Sequence, residues 1–169
     1  AGVPYPELDT YERVILSGYV GTLYGYTQSA SLIDNPEDFV YYKPTTEMTV
    51  TRYNTSFGDP SVQPLLNDPI NMASSSYYLV FGGDEAITHV ETDCKNARTL
   101  VIFKDSYGNA LMPLLTSSFE NIYLCDIRYF DLNAIKFIKD VGATDVLFTM
   151  CTFSAMGDNH YCIYNNMYK

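Results

Sequence analysis

Apolar and polar positions divide this chain into two unlike parts. From residue 99 onward, short apolar runs rich in β-branched residues alternate with segments of helical spacing. Leu100 to Phe103 is an apolar run of the kind found in buried strands. It stops at the polar turn Lys104-Asp105-Ser106-Tyr107-Gly108-Asn109, and Ala110–Ser118 follows with helix-like spacing. Asn121–Ile127 reads as a second strand and Asp145–Met150 as a third. Between them the spacing predicts a helix that opens at Asp131 as N-cap and closes at Gly142 in the C′ position. Its apolar face comprises Leu132, Ala134, Ile135, Phe137, Ile138 and Val141.

A βαβαβ order implies parallel strands joined by right-handed crossovers, with all carboxyl ends on one edge. Ser106, Asp126-Ile127-Arg128 and Cys151-Thr152 then share that edge, where open α/β sheets hold their ligands. Pro113 cannot donate to a carbonyl one turn back. Regular helix is therefore expected from about Leu111, with residues 106–110 forming a turn of free N–H groups.

The first 98 residues follow another pattern. Tyrosines crowd Tyr19 to Tyr53. Asp38–Tyr42 and Met48–Tyr53 read as a hairpin around Pro44-Thr45-Thr46. Residues 54–76, rich in Asn, Asp, Ser and Pro, read as a long surface loop. Tyr77–Phe81 and Ala86–Glu91, separated by Gly82-Gly83-Asp84, read as another hairpin or sheet edge. The expected architecture is α/β: a parallel sheet with flanking helices, plus a tyrosine-rich β extension. We expect a single domain over 1–169, with a decorated half (1–98), a βαβαβ segment (99–156) and a tail (157–169).

Composition narrows the partners. A net charge of −10 with scattered Lys and Arg argues against a nucleic-acid partner. No apolar run is long enough to span a membrane. The four cysteines, Cys94, Cys125, Cys151 and Cys162, have no C-x-x-C pair, and His89 and His160 do not complete a metal-ligand cluster. Buried thiols are the first expectation and a Cys151–Cys162 bridge the second, and no metal or cofactor is implied. The start Ala1-Gly2-Val3-Pro4 reads as a processed or truncated beginning, so a piece of a longer protein is expected.

Ser106 carries the functional question. It is a nucleophile, a phosphate-loop donor or a cap of the segment that follows. As a nucleophile it needs a base for its proton and an oxyanion site, for which its own N–H, the Asn109 amide and the Gly82 or Gly83 N–H are candidates. His89, in the alternating run Ala86 to Glu91, reads as an ordinary sheet-face or edge residue. The sharper base is His160, two residues after Asp158, although a solvated turn histidine is the alternative. Arg128 is a candidate for a substrate carboxylate or phosphate, against a structural pair with Asp105 or Asp126. Ser106-Tyr107-Gly108-Asn109-Ala110 also resembles the flavodoxin phosphate loop, but both loop threonines are missing. The 16 tyrosines fit either a glycan-stacking face or half-buried strands.

The run from Val101 to Ala110, the segment Asp126 to Phe130 and the strand Thr144 to Phe148 together resemble the DHHW family. Pro4-Tyr5-Pro6, Gly21 to Tyr24 and Phe81-Gly82-Gly83-Asp84 resemble it too. The family comprises bacterial surface-associated proteins distantly related to SGNH hydrolases and alginate O-acetyltransferases. The resemblance implies an SGNH-like fold, an extracellular or cell-envelope location and a glycan substrate. It also implies a serine acyl esterase or O-acyltransferase site in which Ser106 matches the nucleophile. In such relatives an upstream Asp-x-His segment supplies the base. No tryptophan occurs here and the two histidines lie far apart, so the Asp-His-His-Trp tetrad is absent. The expectation is a C-terminal portion that does not turn over substrate by itself. Lys104 also stands where ordinary SGNH esterases carry the glycine of Gly-Asp-Ser. The competing expectation is a non-catalytic surface domain that binds glycan or protein.

Overall fold

The computed structural model describes residues 3, 6–157 and 159–169, with His160 described through its backbone alone. Two sheets form. Strands β1 (Glu12–Tyr19) and β2 (Glu37–Lys43) pair antiparallel, with the short helices α1 (Thr22–Thr27) and α2 (Ala30–Ile33) between them. The main sheet contains β3 (Met48–Tyr53), β4 (Ser61–Val62), β5 (Ile87–Thr92), β6 (Thr99–Lys104), β7 (Asn121–Asp126) and β8 (Asp145–Thr149). Its spatial order is β4-β3-β5-β7-β6-β8, with β7, β6 and β8 parallel and the rest antiparallel. Helices α3 (Ala134–Asp140), α4 (Thr152–Met156) and α5 (His160–Tyr168) complete the chain. This is the SGNH-like α/β arrangement expected, and the sheet is mixed.

The stretch Leu100–Phe103 of β6 is apolar without interruption because both faces of the strand are covered. Leu100 and Ile102 join Val50, Val90, Ile122 and Leu124 on one face, sealed by Met112 and Phe119. Val101 and Phe103 join Ile87 and Cys125 on the other, under Ala134 and Phe137 of α3 and the partly buried Cys162, Ile163 and Met167 of α5. Four ring contacts at 5.3–5.7 Å tie Phe137 and Phe130 to Phe57, Tyr123 and Phe103, all steeply tilted as aromatic quadrupoles prefer.

The crossover after β6 runs over the first face and the loop after β8 packs on the second. The chain therefore leaves these neighbouring strands in opposite directions, and their carboxyl ends mark a topological switch point.

Several expectations are corrected. The segment after β6 is a 3-10 helix, Ser106–Leu115, rather than a helix over Ala110–Ser118; Pro113 lies inside it and removes a donor. α3 begins at Ala134, because Asn133 and not Asp131 accepts the capping bond, from the Lys136 N–H at 2.7 Å. Gly142 does take the expected positive φ, 65°. The segments around Asp38–Tyr42 and Met48–Tyr53 do not pair with each other: the first belongs to β2 and meets β1, whereas β3 meets β4 and β5. Tyr77–Phe81 lies in a 3-10 segment, Ser74–Phe81, and β5 is an interior strand rather than an edge. The four cysteines are free thiols; Cys125 is buried and the others partly so. No helix among the described residues is long and apolar enough to cross a membrane.

Candidate active site

At the end of β6 the chain turns sharply into the 3-10 segment, and Asp105 sets the turn. Its carboxylate is 2% exposed and accepts the Tyr107 N–H at 3.0 Å through one oxygen. The other oxygen accepts the Cys151 N–H at 2.9 Å, from the loop after β8. One carboxylate thus ties together the two strand ends at the switch point. Burial pushes its pKa up. The Cys151 N–H, the Ser154 and Cys151 side chains and the Tyr107 N–H outweigh that push and hold it below the usual carboxylate range. Gly108 makes the turn close enough: a Cβ there would stand 2.5 Å from Lys104 Cβ and 3.2 Å from Thr149 Cγ2.

Ser106 opens the 3-10 segment half-buried, beside the exposed Tyr107. Its hydroxyl and backbone N–H make no hydrogen bond among the described residues. The neighbouring N–H groups are occupied, Tyr107 by the Asp105 carboxylate and Gly108 by the Asp105 carbonyl. The expected turn of free donors therefore reduces to the Ser106 N–H.

Beside it lies a closed ionic cluster. Lys104 and Asp126 occupy the same register position at the ends of β6 and β7, with side chains 2% and 0% exposed. Lys104 Nζ donates to Asp126 Oδ2 at 2.9 Å. The Arg128 guanidinium grips both oxygens of Asp126, at 2.9 and 2.7 Å, and also pairs with Asp84 at 2.9 Å. Asp84 receives the Asn109 Nδ2 at 3.1 Å. Burial raises the Asp126 pKa, but the hydrogen bonds of Arg128 and the charge of Lys104 prevail and keep it low. Arg128, hydrogen-bonded to Asp126, is raised in turn. Two cations and two anions cancel.

Asp84 also anchors the strap Gly82-Gly83-Asp84 over the end of β6. Gly82 adopts φ 89°, and both glycines line a cavity of about 20 Å³ with Lys104 and Asn109, enough for about one water. The structure thus brings Ser106, Asn109, Gly82, Gly83 and Arg128 to one edge. Asn109 commits one amide hydrogen to Asp84, and Arg128 is committed to Asp126 and Asp84 in the structural pairing weighed as its alternative. Asp158 and the His160 side chain lie outside the described residues. His89 is on the sheet face, 2.9 Å from the Asn121 side chain and stacked on Tyr123, at the level of Val101 and short of the edge.

The model of the DHHW protein family matches residues 3–125. A crystal structure of a DHHW family protein from Eubacterium siraeum superposes with a TM-score of 0.87 at 48% identity over 98% of this chain. The chain belongs to the DHHW family. Two structures of Bacillus cereus PatB1 share the fold at lower identity. One carries a sulfonyl adduct (TM-score 0.74, 21% identity, 94% of this chain), and the other gives 0.68, 20% and 90%. This DHHW chain spans about half the length of these solved relatives, 55%, 53% and 52%. No functionally curated protein matches it.

The candidate site contains two members, Lys104 and Asp84, to which the sequence pattern assigns no role. In the sequence Lys104 stands out only as the replacement of a glycine, and Asp84 only as the end of the Phe81-Gly82-Gly83-Asp84 segment that resembles the family. A signal existed: Thr99 to Lys104 and Asn121 to Asp126 are apolar runs that each end in a charge of opposite sign, and parallel neighbours in register must bring such ends together.

Proposed function

We propose that this chain carries the nucleophile half of an SGNH-like serine acyl esterase or O-acyltransferase that acts on envelope or extracellular glycan, with Ser106 as the nucleophile. One observation carries the reading. At the end of the central parallel strand, Lys104, Asp105, Asp126, Arg128, Asn109 and Asp84 are all engaged with one another or with backbone, while the Ser106 hydroxyl and N–H are free among the described residues. In the reaction Ser106 Oγ bonds to the acyl carbon of an ester, and its proton passes through a base to the departing alcohol oxygen. Water or a glycan hydroxyl then takes the acyl group from the serine. The Ser106 N–H, the second Asn109 amide hydrogen and the Gly83 N–H are the donors available to the oxyanion, since the Gly82 N–H donates to the Leu79 carbonyl at 3.1 Å. The sulfonyl adduct of PatB1 supports the reading in kind, since sulfonyl electrophiles are captured by activated nucleophiles. Tyr107 and Tyr129, both exposed on this edge, offer faces for a sugar ring.

The test is sulfonyl fluoride labelling mapped residue by residue, with and without added imidazole as a substitute base. Ser106 is expected to label slowly alone and much faster with imidazole, and S106A to lose that site. Labelling of Ser106 no faster than that of the exposed Ser61 under both conditions refutes the nucleophile. The competing reading, a glycan- or protein-binding surface domain, would then lead.

A further inference from the structure

We propose that the cavity between the β1–β2 pair and helices α1 and α2 is a binding site for one uncharged sugar ring of a glycan. The cavity measures about 170 Å³ and is lined by Tyr19, Val20, Gly21, Leu32, Asn35 and Glu37. A sugar ring is held by an aromatic surface against its C–H groups and by carboxylate and amide groups at its hydroxyls. All three kinds meet here. Phe39 at 5.1 Å and the stacked Tyr77 at 6.2 Å hold the Tyr19 ring from behind, which makes it a fixed wall. Gly21 keeps the space beside that ring open: it adopts φ 75°, and a Cβ there would stand 3.8 Å from Tyr19 Cε1 and Oη. Glu37, the register partner of Tyr19, makes no side-chain hydrogen bond or ion pair among the described residues. Asn35 donates Nδ2 to the Ser31 carbonyl at 2.9 Å, which leaves its Oδ1 and second amide hydrogen unused. Burial pushes the Tyr19 hydroxyl pKa up against the hydrogen bond of Thr22. The Glu37 carboxylate pushes it further, so these polar groups lie close together.

The lining also selects among ligands. No lysine or arginine lines the cavity, and Asp34 and Asp38 neighbour Asn35 and Glu37 in the chain, so a uronate or sulfated ring is repelled. An apolar molecule would cover Glu37 and Asn35 without giving them partners. The fold places the cavity on the Ser106 side. β1 sets out near Tyr11, whose hydroxyl donates to the Leu114 carbonyl at 3.1 Å, at the far end of the 3-10 segment that Ser106 opens. Further along, Phe39 of β2 packs at 5.9 Å on Phe81, which leads into the Gly82–Gly83 strap. Leu16 is the register partner of Phe39, so the residues from there to Tyr19 rise about 10 Å past the strap at roughly 3.3 Å per residue. A glycan seated by one ring in this cavity can extend over the edge that holds Ser106. Only that last step, an acyl group brought to the serine, rests on the Ser106 reading; the sugar site does not.

The experiment titrates the isotope-labelled chain, followed by amide NMR, with cellotetraose, mannotetraose and chitotetraose, and with a galacturonate tetramer as the anionic control. At least one neutral probe is expected to shift the amides of residues 19–21 and 32–37 with a Kd of about 1 mM, and galacturonate to shift none. E37A and N35A should each weaken binding about three- to tenfold through the lost hydrogen bond to a sugar hydroxyl. Both side chains are exposed, so the circular dichroism melt should stay unchanged. No shift with any neutral probe at about 10 mM, shifts confined to other residues, unaffected E37A and N35A, or equal binding of galacturonate overturns the proposal. A chain that binds sugar while Ser106 resists sulfonyl fluoride with imidazole upholds this site and counts against the serine reading alone. A chain labelled at Ser106 that binds none of the neutral probes overturns the sugar site alone.

Discussion

Replacing Asp126 by Asn probes the ionic cluster most directly. The carboxylate is fully buried and accepts four bonds, from Lys104 Nζ, from Nε and Nη2 of Arg128, and from the Arg128 N–H at 3.1 Å. Asparagine keeps the shape and removes the charge. Lys104, 2% exposed, is then left with Asp84 at 3.9 Å as its nearest anion. Stranding a buried charge in this way costs about 3–5 kcal/mol. At about 2–4 °C per kcal/mol for a chain of this size, the melting temperature falls by roughly 6–20 °C. K104M is the informative contrast. It removes a cation but leaves Asp126 in the two-pronged grip of Arg128, so no charge is stranded and the loss stays under about 2 kcal/mol. With no tryptophan in the chain, urea titration by far-UV circular dichroism is the suitable assay. The pH dependence supplies a second check. The folded-state pKa of Asp126 is lowered, so its stabilisation is present above the unfolded value of about 3.9 and is lost as pH falls through the folded value. The gap between wild type and D126N must therefore narrow in acid. Equal losses for D126N and K104M, or a gap that widens in acid, would refute the reasoning.

Three further substitutions follow from the same geometry. G108A forces a methyl against Lys104 Cβ and should cost about 1–3 kcal/mol in urea denaturation, more than alanine substitution of a solvent-facing turn residue would. D105N weakens the tie between the ends of β6 and β8 and should cost about 1–3 kcal/mol at neutral pH. Its difference from wild type should shrink in acid, since the folded carboxyl is also lowered, and hydrogen exchange should rise at Tyr107 and Cys151. N133A should cost about 1 kcal/mol through the lost cap, while D131A, which breaks an exposed pair with Lys169, should cost under about 1 kcal/mol. A reversed order would restore Asp131 as the cap.

The parallel half was legible because its strands are covered on both faces, which leaves unbroken apolar runs such as Leu100 to Phe103. The rest was harder for identifiable reasons. β2 and β3 are adjacent in sequence and both alternate, but pairing is decided by which core each strand reaches: Tyr41 of β2 is buried away from the main sheet, and Val50 of β3 within it. Asp131 and Asn133 are both competent caps, and only the path of the preceding loop selects between them. At the site, Ser106 was evident from the strand-turn-helix pattern and Asn109 from its place in the same turn. Which of their atoms remain available was not evident, because that depends on Asp84 and Arg128, distant in sequence and joined only by the fold.

The cancellation of charge in the cluster also governs what an approaching molecule senses at this edge. Lys104 and Arg128 place two positive charges at the edge, but Asp126 and Asp84 neutralise them within a few ångströms, so the cluster projects almost no field. What an approaching molecule meets is the chain's overall −10. A polyanionic glycan is repelled at long range, and its encounter rate rises as salt screens that repulsion, whereas a neutral glycan meets this edge at a rate that barely changes with ionic strength.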